Sequence, residues 1–268
     1  MSTGKDERGD PAPRRSPQPR VLESPVKRLA WRLAEVVQRV RETPRTASLE
    51  LEVPGWSGHR AGQHVDVRLT AEDGYQAQRS YSIASPPEDE RLTLTVERLE
   101  DGEVSPFLVD ELRAGDRFEL RGPIGGYFVW EAGQGPLLLV AGGSGIVPLM
   151  AMLRHRGAAG SDERATLLYS ARSLDDVIYR DELAGLSATA GGPEVAYTLT
   201  RERPADWTGY DRRVDAAMLA EVLGPLGATA TAFVCGPTSF VETAADALVG
   251  LGYDPSRVKT ERFGPTGR

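Results

Sequence analysis

The 268-residue chain has 32 Lys/Arg against 39 Asp/Glu, a net charge of −7, 40% hydrophobic residues and one cysteine, Cys235. One thiol excludes an intrachain disulfide and a cluster held by four thiolates of this chain. Residues 1–32 carry eight basic and four acidic side chains, leaving −11 for the rest, a balance opposed to nucleic-acid binding, which needs a basic face.

Residues 1–26 are rich in Pro, Arg, Ser and Gly and poor in apolar side chains. They bury too little surface to offset the entropy of ordering and are expected to be a disordered basic tail. The N-terminus has no apolar h-region, and Arg14-Arg15 lacks the hydrophobic stretch that a twin-arginine signal needs. No run of 18 apolar residues occurs, so no membrane span is expected. With one cysteine and no secretory signal, a reducing, cytoplasmic setting is expected.

Residues 27–132 are read as one β-rich domain. Strands are predicted from alternation over Trp31–Val40, Ser48–Val53, His64–Leu69, Arg79–Ser85, Leu92–Val96 and Arg117–Arg121, the last stopped by Gly122-Pro123. One helix, Val104–Leu112, interrupts them. Six short strands at close spacing with Gly/Pro turns predict a small antiparallel barrel. In the fourth strand, alternation puts Arg79, Tyr81, Ile83 and Ser85 on one side and Ser80, Ser82 and Ala84 on the other.

After the break Glu131-Ala132-Gly133-Gln134-Gly135 the pattern changes, and residues 133–268 are read as a second domain. Pro136–Ala141 is a continuous apolar run, as expected of a strand buried on both faces. Further strands are predicted at Ala165–Ala171, Glu194–Leu199, Thr231–Cys235 and Val258–Arg262. Helices are predicted at Pro148–His155, Arg180–Leu186, Asp215–Leu223 and Ser239–Leu251. This alternation predicts a five-stranded, parallel, doubly wound α/β sheet.

Between the first strand and helix of that domain lies Gly142-Gly143-Ser144-Gly145-Ile146-Val147-Pro148. Glycines let a backbone approach a phosphate, and the start of a helix favours an anion. The loop is not a Gly-x-Gly-x-x-Gly fingerprint and has no closing Gly-Lys-Ser/Thr. A tight glycine turn without ligand is the alternative. His59, His64 and His155 have no metal-ligand spacing, so no metal site is expected. Cys235 ends an apolar strand before Gly236-Pro237, without a local Cys–His pairing that would make it a nucleophile.

Four stretches in fixed order carry a resemblance: Arg79-Ser80-Tyr81-Ser82, Gly102-Glu103-Val104-Ser105, the glycine loop 142–148 and Cys235-Gly236-Pro237. Together they resemble the ferredoxin–NADP reductase family of flavoproteins, over roughly residues 34–268. The resemblance implies that the barrel holds flavin, FAD rather than FMN. Arg79 would pair with its pyrophosphate, Tyr81 lie on the isoalloxazine face, and Ser82 offer its hydroxyl to N5. Gly102, Val104 and Ser105 would present helix-start N–H groups and a hydroxyl to the pyrophosphate, although Ser105 can equally be an N-cap. Ser85, Val96, Arg98 and Phe128 complete the implied flavin set, with Phe128 in a Gly122–Phe128 segment that otherwise reads as a Gly/Pro corner.

For the nicotinamide nucleotide the resemblance implies Gly143, Ser144, Gly145 and Pro148 at pyrophosphate and ribose, and Cys235, Gly236 and Pro237 beside the nicotinamide. Ser170 and Arg172 end the second parallel strand and Arg201 the third. They suit a 2′-phosphate and favour NADPH over NADH, or else are solvated loop charges. Thr260-Glu261-Arg262-Phe263 resembles the family's C-terminal Glu-x-Phe, implying that Glu261 and Phe263 return to the flavin. The implied reaction is hydride transfer to FAD with Ser82, Cys235 and Glu261 at its centre, then single-electron release to a separate ferredoxin, haem, flavin or molybdenum protein. A flavin reductase or diaphorase serving free acceptors and a non-catalytic flavin-binding module are the alternatives.

Overall fold

The computed structural model describes residue 1, residues 29–224, residue 226 and residues 229–264. The expected disordered tail, apart from Met1, lies outside the described residues. In the first half, β1 (Arg32–Thr43), β2 (Thr46–Glu52), β3 (His64–Thr70), β4 (Gln76–Ser82), β5 (Leu92–Glu97) and β6 (Arg117–Ile124) form one antiparallel sheet in the order β4-β3-β6-β1-β2-β5. The sheet closes where Ile83 bridges Leu94 and the Ala84 N–H donates to the Thr93 carbonyl at 2.8 Å. Alternation fills the interior: Leu49 and Leu51, Val65 and Val67, and Leu92 and Leu94 all point into one core.

Three local expectations change. The strand expected at 79–85 runs instead over Gln76–Ser82, because its pairing with β3 begins at Thr70–Gln76 and ends at His64–Ser82. Beyond Ser82 the chain crosses to β5 and closes the barrel. β6 does not stop at Gly122-Pro123 but continues to Ile124. Proline is tolerated there because β1 pairs only with Arg117–Leu120, and the β3 pairing has an irregularity between His64 and Asp66. The helix expected at 104–112 is largely a π-helical turn over Phe107–Glu111.

In the second half, β7 (Leu137–Gly142), β8 (Ala165–Ala171), β9 (Glu194–Leu199), β10 (Thr231–Pro237) and β11 (Val258–Phe263) form a parallel sheet in the order β11-β10-β7-β8-β9. Helices α1 (Ile146–Ala158) and α2 (Arg180–Ala188) share a core with Leu137, Leu139 and Ala141. Helices α3 (Ala216–Leu223) and α4 (Thr238–Gly250) share another with Leu138 and Val140 on the opposite face. An apolar run without alternation is therefore what β7 needs, since both its faces are covered. α1 begins two residues before the predicted start, which leaves Pro148 in the first turn, where a missing N–H costs nothing.

The chain leaves β7 towards β8 and β9, then returns to β10 on the other side. The C-terminal ends of β7 and β10 are thus neighbours from which the connections diverge, the place where open α/β sheets bind ligands. Ala61, Ala84, Phe128 and Trp130 of the first half pack into the α1 core, so apolar contact joins the two halves. Leu139, fully buried at the centre of the sheet, tests this packing. Leu139→Ala is expected to cost about 2–5 kcal/mol in urea unfolding, and a loss under about 1 kcal/mol would mean that the site collapses around the deletion.

Candidate functional site

The two strand ends at the switch point touch through their backbones. A Cβ on Gly145 would lie 2.1 Å from the Cys235 carbonyl oxygen, so only glycine permits this approach. A Cβ on Gly142 would lie 2.9 Å from the Phe240 ring and one on Gly236 2.7 Å from it. Phe240, from the first turn of α4, therefore covers both glycines. Gly143 adopts φ +55°, and the space beside it is open except for the Glu97 carboxylate, 4.0 Å from where a Cβ would stand. Gly143, Ser144 and Gly145 form a 3-10 turn that runs directly into α1, and the Ile146 N–H donates to the Gly143 carbonyl, so the turn itself forms the helix start. Pro148 itself is buried in that helix.

Strand register then links this loop to the barrel. Cys235 stands opposite Glu261 in the β10–β11 pair. His64 Nδ1 lies 3.7 Å from Glu261 Oε1, and His64 stands opposite Ser82 in the β3–β4 pair. Ser82, His64, Glu261, Cys235 and Gly145 are thus successive neighbours along the junction of the two halves. Burial pushes the Glu261 carboxyl up to about 7, and burial lowers the His64 imidazole against an opposing pull from Asp66. A 3.7 Å approach between a neutral imidazole and such a carboxyl is too long for a hydrogen bond and is no firm ion pair.

Glu261 Oε2 is buried with no hydrogen-bond partner among the described residues. An orphaned buried acceptor costs about 1–3 kcal/mol, and perturbed, unpaired groups in a crevice are characteristic of working sites. Burial also raises the Cys235 thiol, and the neighbouring Glu261 charge raises it further. It is therefore a neutral, shaped wall and not a thiolate nucleophile.

On the barrel side, the exposed Arg79 guanidinium donates to Glu103 Oε2 at 2.6 Å, and Tyr75 donates its hydroxyl to Oε1 of the same carboxylate at 2.6 Å. An exposed pair of this kind is screened by solvent and weak, so an anion could displace Glu103 at little cost. Tyr81 is half-buried, and burial raises its hydroxyl. Gly102 is held close to Ser105, whose Oγ would lie 2.7 Å from a Cβ. Ser105 is not the N-cap its position suggested. The helical turn makes no side-chain cap bond, and the Ser105 hydroxyl accepts from the Leu99 N–H at 3.0 Å, closing the 99–105 loop.

Other residues of the expected set face elsewhere. Ser85 is buried, with its hydroxyl accepting from the Thr93 N–H. Val96 and Val104 lie in the barrel core. Phe128 is buried edge-on against Phe233 at 5.3 Å. These four shape the site from behind. Arg98 donates to Asp110 at 2.8 Å. At the ends of β8 and β9 the Arg201 N–H donates to the Arg172 carbonyl at 2.9 Å, which brings the two loops together. Both guanidiniums are exposed and without a side-chain partner among the described residues, with Ser170 half-buried beside them. Phe263 is partly exposed at the end of β11, opposite Pro237.

Sequence reasoning passed over His64, Glu97 and Phe240. His64 acquires its place by meeting Glu261 of the other sheet, Glu97 by facing Gly143 and Phe240 by covering Gly142 and Gly236, and His64 has no spacing motif to signal it. As to cofactors, the residues present fit a flavin dinucleotide and a nicotinamide nucleotide. They provide an exposed arginine, a half-buried tyrosine, an unpaired carboxyl oxygen and a glycine loop at a helix start.

The raised Glu261 group has a signed consequence. The folded carboxyl keeps its proton up to about 7 while the unfolded one releases it near 4.5. The folded state therefore binds more protons in that window, and this group's contribution to stability declines as pH rises from 4.5 to about 7 and is then constant. Glu261→Gln is expected to abolish that slope, together with a carboxyl infrared band titrating near 7. A band titrating near 4.5 in the wild type would instead mean a hydrated side chain.

Comparison with known proteins gives the same picture. Residues 34–129 match the oxidoreductase FAD-binding domain and residues 139–246 the oxidoreductase NAD-binding domain. The glycine betaine monooxygenase reductase subunit of Pseudomonas aeruginosa is 31% identical over 251 residues, covering 91% of this chain and 68% of that protein. Ferredoxin–NADP reductase B of Sorangium cellulosum is 34% identical over 209 residues, covering 76% and 84%. The FAD/NAD-binding domain of a nitric oxide dioxygenase from Vibrio cholerae superposes with a TM-score of 0.77 at 25% identity, covering 87% of this chain and 99% of that one. Both halves of the site thus have known counterparts in one architecture, and the chain belongs to the ferredoxin–NADP reductase-like family of FAD- and NAD(P)-binding oxidoreductases.

Proposed function

We propose that the protein takes reducing equivalents from NADPH and delivers them to a separate oxygenase component. The observation that carries the proposal is the run of neighbours Ser82, His64, Glu261, Cys235 and Gly145, which joins the flavin side to the nicotinamide side. When bound, FAD supplies the chemistry, accepting a hydride from the nicotinamide and releasing its electrons singly.

The chain's own residues bind, orient and tune. Arg79 exchanges Glu103 for the flavin pyrophosphate. The Ser82 hydroxyl would serve as a hydrogen-bonding group for the flavin, and Glu261, with its spare oxygen, would hold a proton at the junction. The raised thiol of Cys235 stays neutral and packs against the nicotinamide without competing for it. Gly143 to Gly145 and the start of α1 receive the nucleotide pyrophosphate. The exposed, unengaged Arg172 and Arg201 favour a 2′-phosphate, hence NADPH over NADH. The acceptor class is suggested by the Pseudomonas relative, a monooxygenase reductase subunit.

An anaerobic titration with NADPH and NADH in parallel tests this reading. Bleaching of the flavin absorbance by NADPH well ahead of NADH is expected. A flavin-loaded protein that neither nucleotide bleaches would overturn the reductase assignment, and faster bleaching by NADH would overturn the preference. Arg79→Ala is expected to purify with substantially less FAD per chain, measured after heat release. Equal FAD content would remove Arg79 from the cofactor's binding set.

A further inference from the structure

Among the described residues, one side chain other than glycine adopts a left-handed backbone: Tyr179, at φ 60° and ψ 27°, immediately before α2. A bulky residue there costs on the order of 1–3 kcal/mol and persists only where its surroundings impose it. The surroundings do so here. The ring is 3% exposed, and the hydroxyl crosses from the α/β half to the barrel, donating to Thr95 Oγ1 at 2.5 Å. Thr95 in turn lies 2.8 Å from Ser48 Oγ, and Ser48 donates to Glu42 Oε1 at 2.6 Å. Ser48 has a single proton, given to Glu42, so Thr95 is the donor to Ser48. All three bonds therefore run in one direction, from the α/β half to a carboxylate on β1. Burial raises the Tyr179 hydroxyl, which keeps it a donor.

A second side chain makes the same crossing. Arg154 of α1 lies over the Tyr179 ring at 4.8 Å. It donates to the Ala84 carbonyl of the barrel at 2.8 Å, and Glu182 of α2 grips it from behind at 2.8 and 2.6 Å. The points tied together are not arbitrary. Ala84 lies two residues after Ser82, and Thr95 directly precedes Val96 on β5. On the other side α1 continues from the glycine loop, while the loop before Tyr179 continues from Arg172. The Ile178 N–H is itself held by the Tyr169 hydroxyl at 3.2 Å, which fastens the loop to β8.

We propose that Tyr179, braced by Arg154, is a positioning residue that fixes the nucleotide-binding half against the flavin-binding barrel and thereby sets the distance over which hydride is transferred. The inference rests on the reductase reading above but concerns residues that touch neither cofactor site. Misplacing reacting atoms by an ångström costs up to about a hundredfold in rate, so a contact worth one hydrogen bond can govern turnover without governing binding.

The test uses the FAD-loaded full chain and the variants Tyr179→Phe, Thr95→Val, their double mutant and Thr95→Ser. Phenylalanine keeps the ring and the Arg154 contact and removes only the hydroxyl. Stopped-flow bleaching by NADPH and its 4-deuterated form gives hydride transfer and nucleotide binding separately, and hydrogen exchange over residues 92–98 and 177–183 reports the junction without any nucleotide. Tyr179→Phe is expected to keep its FAD content and its NADPH Kd within about twofold while the limiting bleaching rate falls about tenfold and exchange at both segments rises. The double mutant is expected to be no slower than Thr95→Val, because that variant already deletes the Tyr179–Thr95 bond together with the Thr95–Ser48 bond, and Thr95→Ser is expected to recover most of the rate. An unchanged bleaching rate in Tyr179→Phe, a loss fully accounted for by raised Kd or lost FAD, or unaltered exchange at both segments would overturn the proposal. If the wild type itself fails to bleach, the reductase reading falls, and exchange alone then decides whether the latch exists.

Discussion

The structure depends on the close approach of two backbones at the centre of the parallel sheet. Gly145 passes so near the Cys235 carbonyl that a single Cβ would force the strands apart. That approach sets the start of α1 beside the end of β10 and opens the crevice between their diverging connections. The same contact seats a buried thiol against the glycine loop. The glycines therefore shape both the helix start and the end of β10 through backbone geometry alone.

Around that fixed point the charges are arranged at two depths. At the surface, the Arg79–Glu103 pair is solvated and screened, so it binds weakly. At the junction, Glu261 is withdrawn from water with one oxygen unpaired, and there the same kind of carboxyl is shifted to about 7. Depth decides which group is exchangeable and which is poised. The pair at Arg79 is exposed to solvent, whereas Glu261 is held in a state it would not adopt in solution and can gain or lose a proton near neutral pH.

Much of this architecture is readable in one dimension. Barrel strands alternate because one face is buried, β7 does not alternate because both are, and the glycine loop falls where the period changes. The ends of β4, β6 and the turn at 107–111 are less readable, since pairing partners and not local pattern decide them. Ser105 illustrates the difference: its position before a helix suggests a cap, but the loop it closes supplies another donor, the Leu99 N–H. His64 and Phe240 are invisible for a stricter reason. No pattern around His64 marks it, and Phe240, four residues beyond Gly236, gains its role only when the fold also brings Gly142 under its ring.

Tyr179 extends that reasoning to the relation between the halves. Its sequence neighbours, Asp176-Val177-Ile178 before and Arg180-Asp181-Glu182 after, read as an ordinary helix approach, and no propensity favours a tyrosine in a left-handed conformation. The strain is tolerated because the ring fills a buried site and the hydroxyl begins a directed series of bonds ending at Glu42. Apolar packing between the halves, through Ala61, Phe128 and Trp130, is non-directional and favours association without choosing an angle. A hydroxyl that must meet one oxygen does choose. The hydrophobic contact thus holds the two halves together, and the strained tyrosine supplies a directional constraint on how they face each other, beside the bonds of Arg154 to Ala84 and of Lys259 to Val129.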